Sequence, residues 1–242
     1  MLVLGLDTST SVAGIGLVDL DGTLAGLKVN LKTDYSEKLL PSIDYLLSLA
    51  GLDINDLSGF GISIGPGSFT GLRIGLATIK GLAYATGRPI VAVPTLDAIA
   101  WQFQYATYPI ASILDARKKE IYIALYEKHR KGIKRITPYL AMPPKDLPKI
   151  IKNKTLLVGP GVSVFKEEIS EILKDKALFL KEEICYISGE AVARIGIKKL
   201  LAGEVENAES LEPLYVRETD AQLKNFKTKS QACYPTYGRR RC

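Results

Sequence analysis

Apolar residues first alternate and then recur at helical spacing, and the same change happens twice along the chain. Residues 2–7, 12–19 and 24–30 alternate as short strands, with Asp21-Gly22 as the tight turn between the second and third. Leu39, Leu40, Ile43, Leu46, Leu47 and Ala50 then recur at the spacing of one helical face, led by Asp34 and Glu37 as a capping box and bent early by Pro41. A buried strand near 59–64 runs into a glycine-rich loop and a helix that Gly87-Arg88-Pro89 stops. A short strand over 90–93 follows, and Thr95 is expected to cap a helix over 96–105. The second half predicts strands over 110–115, 120–127 and 133–136, then a connection through Pro138, Pro143, Pro144 and Pro148. A strand over 155–159, a helix over 163–174, a strand over 177–180 and a helix over 188–202 complete it.

The repetition extends to residue identity. Leu6-Asp7 before Val12-Ala13-Gly14-Ile15-Gly16 is matched by Leu114-Asp115 before Glu120-Ile121-Tyr122-Ile123-Ala124, and Ile64-Gly65-Pro66-Gly67 by Val158-Gly159-Pro160-Gly161. Two motifs recurring in one order imply two copies of a half-domain rather than a solenoid with a short fixed period. A three-strand meander followed by alternating helix and strand predicts α/β lobes, each a mixed sheet with helices on both faces. The expected division is a first lobe over 1–107, a second over 108–222 and a basic tail over 223–242.

With 242 residues, 47% of them hydrophobic, the chain buries a substantial core. Its formal charge of +6 is carried by the tail, where Lys224, Lys227, Lys229, Arg239, Arg240 and Arg241 stand without an acid, so the body is neutral. A general RNA-binding module therefore rests mainly on that tail, whose attraction for phosphate would be blind to sequence. Cys185, Cys233 and Cys242 form no CxxC pair, which argues against a disulfide framework or a thiolate zinc site and for a reducing cytoplasm. The start carries no basic n-region of a signal peptide, and no apolar run reaches the roughly 18 residues of a membrane span.

Candidate chemistry gathers at strand ends. Asp7 with Thr8, Ser9 and Thr10 offers a carboxylate and three hydroxyls, a set suited to phosphate with a divalent cation; a strand end capped by its own hydroxyls reads equally well. In the second half Asp115 is followed by Ala116-Arg117-Lys118-Lys119, without hydroxyls. The run Gly65-Pro66-Gly67-Ser68-Phe69-Thr70-Gly71 is not a P-loop, since Leu72-Arg73 stand where Lys and Ser or Thr are required. Its glycines imply positive φ or close backbone approach, and Gly75, Ala77, Gly81, Ala83 and Ala85 leave the next helix with small faces. Arg73 suits a phosphate, a partner carboxylate or an internal ion pair. Trp101, Phe103 and Tyr105 read as base-stacking or as packing residues. His129 is the one histidine, so a His-rich metal centre cannot be assembled.

Asp7-Thr8-Ser9-Thr10 resembles the phosphate loop of the actin-like and sugar-kinase-like (ASKHA) superfamily, which implies two ribonuclease-H-like lobes around an ATP cleft. Together with Gly65 to Gly75, Asp115-Ala116-Arg117 and Glu212-Pro213-Leu214-Tyr215-Val216-Arg217, it resembles the TsaB (YeaZ) family over about residues 1–222. The resemblance implies a non-catalytic scaffold for a TsaD-like catalytic subunit in N6-threonylcarbamoylation of tRNA adenosine 37, in the cytoplasm. It also implies a TsaE-like P-loop ATPase partner, a homodimer in isolation, and tRNA contact through the complex. ATP and a metal would belong to the partner subunits, none being required by this chain; the TsaD paralogue carries paired histidines where this chain has Tyr35-Ser36-Glu37-Lys38-Leu39. A vestigial nucleotide site would comprise Asp7, Thr8, Ser9, Thr10 and Asp115. The partner interface would comprise Leu39, Leu40, Ile43, Leu46, Leu47, Ile74, Gly75 and Thr78, although a leucine stripe at helical spacing equally describes a core. The rival expectation is a self-sufficient ATP-dependent phosphotransferase or glycoprotease-like hydrolase of the same superfamily.

Overall fold

The two runs that the sequence repeats become the central strands of two sheets with one topology. The computed structural model describes residues 1–30, 35–130, 132–180 and 187–216. In the first half β1 (Val3–Asp7), β2 (Val12–Val18) and β3 (Thr23–Asn30) form the expected meander, and Asp19 Oδ1 accepts from the Asp21 and Gly22 N–H groups at its turn. Helix α1 (Tyr35–Leu49) leads to β4 (Gly59–Gly65), which runs parallel to β1, and α2 (Phe69–Thr86) leads to β5 (Ile90–Pro94) and the short α3 (Thr95–Trp101). The strand order is β3-β2-β1-β4-β5.

In the second half β6 (Ile110–Arg117), β7 (Glu120–His129), β8 (Gly132–Arg135), β10 (Thr155–Val158) and β11 (Ala177–Phe179) repeat that order as β11-β10-β6-β7-β8. Helix α4 (Pro160–Leu173) follows β10 as α2 follows β4, and α5 (Gly189–Leu201) closes the pattern. The duplication seen in residue identities is thus a duplication of fold, and the mixed α/β architecture is the expected one.

Three details depart from expectation. The proline-rich connection holds a strand, β9 (Leu140–Met142), paired with β7, and a 3-10 turn over Pro144–Lys149. Pro94, not Thr95, is the N-cap of α3, and the helix stops at Trp101. Thr95 instead shares a hydrogen bond with Ser63 at 3.3 Å. Helix α4 starts at Pro160, where a proline loses no helical hydrogen bond. Asp34, Cys185, Arg217 and the basic tail lie outside the described residues.

The last helix of each half crosses to the other sheet. Leu96, Ile99 and Ala100 of α3 pack with Ile110, Leu114 and Tyr126 of the second sheet. Ala193 and Ile197 of α5 pack with Val3 and Val18 of the first. Close approach makes the second crossing possible: on β1 the odd positions face α5, and a Cβ on Gly5 would stand 2.1 Å from the Gly189 carbonyl. The even positions, Leu4 and Leu6 with Ile15, Leu17, Phe60 and Ile62, build the core beneath α1 and α2.

Candidate functional site

Strand β1 ends at Asp7, and α2 begins on top of it. Ser68 caps α2 by accepting from the Gly71 N–H, and its own N–H donates to the Ser9 carbonyl at 2.6 Å, which pins the helix start to the β1 loop. A Cβ on Gly75 would stand 2.1 Å from Thr8 Oγ1, and one on Gly71 equally close to the Thr8 carbonyl oxygen. Gly71 thus makes room for the Thr8 backbone and Gly75 for its side chain. Positive φ falls instead on Gly65 (114°) and its counterpart Gly159 (102°), which turn the chain from strand to helix in each half. Phe69 and Thr70 open α2 on its exposed side, while Pro66 is buried beneath.

The Asp7 and Thr8 side chains have no exposed surface and Ser9 almost none. Asp7 Oδ1 accepts from the Ser9 N–H at 2.8 Å. Asp7 Oδ2, Thr8 Oγ1 and Ser9 Oγ are buried without a hydrogen-bond partner among the described residues. Burial pushes the Asp7 carboxyl up to about 6, against the opposing pull of the Ser9 N–H and of the nearby Ser9 and Ser63 hydroxyls. Thr10 turns back on its own chain, donating to the Val12 carbonyl at 3.0 Å and accepting from the Val12 N–H at 3.2 Å. Helix α2 and its loop lie against Thr8 and Ser9, through Gly71 and Gly75 and through Gly67, while Asp7 faces the other side of the sheet near Ser63.

The matching loop of the second half is built differently. Asp115 Oδ1 accepts from the Arg117 N–H at 2.7 Å, and its Oδ2 pairs with the Arg117 guanidinium at 3.6 Å. Arg117, Lys118 and Lys119 hold φ of 64°, 52° and 61°, a left-handed run that residues with a Cβ seldom adopt. Asp115 is therefore engaged locally. Among the described residues no three His, Cys, Asp or Glu side chains come together as a metal site, and His129 is exposed at the end of β7.

The proposed interface residues divide. Leu39, Ile43, Leu46 and Leu47 lie in the core beneath the first sheet at 5% exposure or less, packed with this chain's own residues. Gly75 is buried against Thr8, and Ile74 packs partly on the same core. Thr78 is half-buried and donates to the Ile74 carbonyl. Leu40, however, is exposed on one flank of α1 and Leu49 on the opposite one, with Tyr45 between them, and Ala77, Gly81, Tyr84 and Ala85 are exposed on the adjacent α2. This outer face is what the helix pair has left to offer.

Among the described residues Arg73 forms no internal ion pair. Its Nε donates to the Tyr215 hydroxyl at 3.2 Å, and its guanidinium lies over Phe69, whose ring also meets Tyr215. With the Leu214 N–H donating to the Ile64 carbonyl, residues 211–216 are strapped across the glycine loop. Of the aromatic trio, Phe103 packs in the core, Tyr105 is exposed, and Trp101 lines a cavity under α3. Reading the sequence alone misses the Asp97, Tyr126 and Tyr139 cluster in that region. The available signal was a tyrosine at an inward position of β7.

Among solved structures the chain resembles YeaZ from Pseudomonas aeruginosa with a TM-score of 0.75 at 24% identity, covering 88% of this chain and 99% of that one. A ROK hexokinase from Thermus thermophilus, at a TM-score of 0.50 and 13% identity over 82% and 100% of the two chains, shares the two-lobed fold. In sequence it is 29% identical over 227 residues to the tRNA threonylcarbamoyladenosine biosynthesis protein TsaB of Bacillus subtilis, covering 93% of this chain and 97% of that protein. The TsaB protein of Escherichia coli is 28% identical over 232 residues, covering 93% and 98%. The model of the family described as TsaD, tRNA N6-adenosine threonylcarbamoyltransferase, matches residues 30–225. With the glycine loop, the doubled topology and relatives aligned from end to end, the chain belongs to the TsaB (YeaZ) family, within the wider family that the TsaD model describes.

Proposed function

We propose that this chain acts in threonylcarbamoyladenosine biosynthesis as a non-catalytic scaffold, docking a TsaD-type catalytic subunit through the outer face of α1 and α2. The names of its relatives support the pathway. The observation that carries the scaffold reading is the closure of the β1 loop: α2 sits on Thr8 through Gly71 and Gly75, and Asp7, Thr8 and Ser9 are buried. The exposed positions of the same helix then serve contact rather than chemistry. In this reading modification of adenosine 37, the ATP and the metal reside with the TsaD-type subunit. A TsaE-type ATPase joins the assembly, tRNA is met through the complex, and the isolated chain forms a homodimer through the same face.

Gly81 gives a clean test, because a side chain there meets nothing within 4 Å in the monomer. Gly81→Glu is expected to keep or slightly raise thermal stability through better helix propensity, by about 0.5–1 kcal/mol, while blocking a helix laid against α2. Together with Leu40→Asp it should abolish both capture of a TsaD-type subunit and the homodimer mass by ultracentrifugation. A double variant that retains wild-type mass and capture would remove this interface.

The rival phosphotransferase reading draws on the unpartnered Asp7 Oδ2, Thr8 Oγ1 and Ser9 Oγ, which are polar groups of the kind a ligand satisfies. Titration with ATP and magnesium by calorimetry separates the two. Binding with turnover lost in Asp7→Ala would favour the enzyme.

A further inference from the structure

Behind the β1 loop, between α3, α5 and the β7–β8 hairpin, lies a second feature that the scaffold reading does not use. A cavity of about 270 Å³ is lined by Trp101, Gln104, Tyr126, Ile133, Arg135 and Lys198, with Asp97, Gly132 and Ile195 completing the wall. At about 30 Å³ per water it has room for roughly nine, near the lower end of small-molecule sites.

Its charge is unbalanced. Both oxygens of Asp97 already accept, Oδ1 from the Tyr126 hydroxyl at 2.6 Å and Oδ2 from the Tyr139 hydroxyl at 2.9 Å, so this carboxylate has little left for a ligand. The two cations are held by rings: the Arg135 guanidinium lies 3.7 Å from the centre of Tyr139, and Lys198 Nζ lies 5.5 Å from that of Trp101. Neither forms an ion pair among the described residues. The Trp101 indole N–H is buried and has no acceptor there. The wall therefore presents two positive groups and apolar surface from Ile133, Ile195 and the rings, with Gln104 as its neutral amide. Two cations beside rings and apolar side chains suit a ligand that carries negative charge on a flat apolar body.

We propose that this cavity binds a small aromatic anion, its carboxylate or phosphate met by Lys198 and Arg135 and its ring held among Trp101, Ile133 and Ile195. The site lies on the lobe-crossing helices, away from the outer face of α1 and α2, and stands whether or not that face docks a partner. It is too small for a nucleoside triphosphate, which separates it from the superfamily's ATP cleft.

Trp101 is the only tryptophan of the chain, so its emission reports on this cavity directly. Benzoate and phenyl phosphate are the probes, with benzamide as the neutral counterpart of the first and inorganic phosphate as the ringless counterpart of the second. The full chain is expected to show a saturable change in emission with at least one aromatic anion at about millimolar concentration or below. Calorimetry should give the same affinity, and the tighter of the two anions identifies the head group. Benzamide should bind at least about tenfold more weakly, and Lys198→Gln and Arg135→Gln should each weaken the anion by about tenfold or more while leaving the melting temperature within a few degrees. Ile133→Phe, which fills the cavity without touching charge, should abolish the response. The proposal is overturned if neither anion binds, if benzamide or inorganic phosphate binds as tightly as its aromatic anion, or if binding survives both charge variants.

Discussion

Replacing Asp7 by asparagine should make this protein more stable at neutral pH and remove part of its pH dependence. The carboxyl has no exposed surface, its Oδ2 has no partner among the described residues, and burial raises it from an ordinary 3.8 to about 6. At 1.36 kcal/mol per pH unit, that difference corresponds to about 3 kcal/mol by which ionised Asp7 opposes folding. The sign follows from proton binding. The folded state holds the Asp7 proton more tightly than the unfolded state, so the penalty is complete above about pH 6 and is relieved as the pH falls towards 3.8. Asparagine keeps an oxygen for the Ser9 N–H, which Oδ1 now accepts at 2.8 Å, and introduces no charge. Urea unfolding of both proteins at steps from about pH 4 to pH 7.5 is the assay. Asp7→Asn should be more stable by about 2–3 kcal/mol at pH 7, with the advantage shrinking towards zero near pH 4. Asp97, whose carboxyl is also raised by burial, contributes to both proteins and drops out of the difference. An advantage that does not change with pH, or a variant less stable at pH 7, would refute the reasoning.

Gly75→Ala places a Cβ against Thr8 Oγ1 and should cost about 1–3 kcal/mol in thermal or chemical unfolding, while adding Thr8→Ala should recover most of it; an unaffected single variant would contradict the close packing. Tyr126→Phe removes a 2.6 Å hydrogen bond to Asp97 and leaves Oδ1 without that donor, for an expected loss of about 1.5–3 kcal/mol read from the urea midpoint at unchanged slope. Ser68→Ala removes the N-cap of α2 and should cost about 1 kcal/mol by the same measurement, with Ser68→Gly costing less.

Much of the fold was legible because two physical signals agreed. Alternation marked the strands, and Leu-Asp and Gly-Pro-Gly recurred at equivalent places, so one half's topology described the other's. The site was less legible. Periodicity puts Leu39 and Leu40 on one apolar stripe, yet they stand about a hundred degrees apart around the helix, and the structure buries the first at 1% and exposes the second at 49%. A helical stripe also does not name its sheet, so the exchange of α3 and α5 was hidden. Its trace was present in Gly5, in the pair Gly14 and Gly16 and in the pair Gly59 and Gly61, which lie on one face of three neighbouring strands and leave it flat for a close neighbour. Thr8 carried no signal of closure, because contact with Gly75 depends on how a distant helix lands.

The crossing of α3 and α5 bears on how the molecule can be taken apart. A fragment ending before β6 lacks the lid that covers Val3, Gly5 and Val18, and the complementary fragment lacks the cover of Ile110 and Leu114. Each piece would be left with a bare apolar floor and a stray helix, and each holds the plug for the other. Severed between its halves, the polypeptide should be insoluble when either piece is made alone and recoverable when both are made together, each completing the other as a clasp is completed by its second hand.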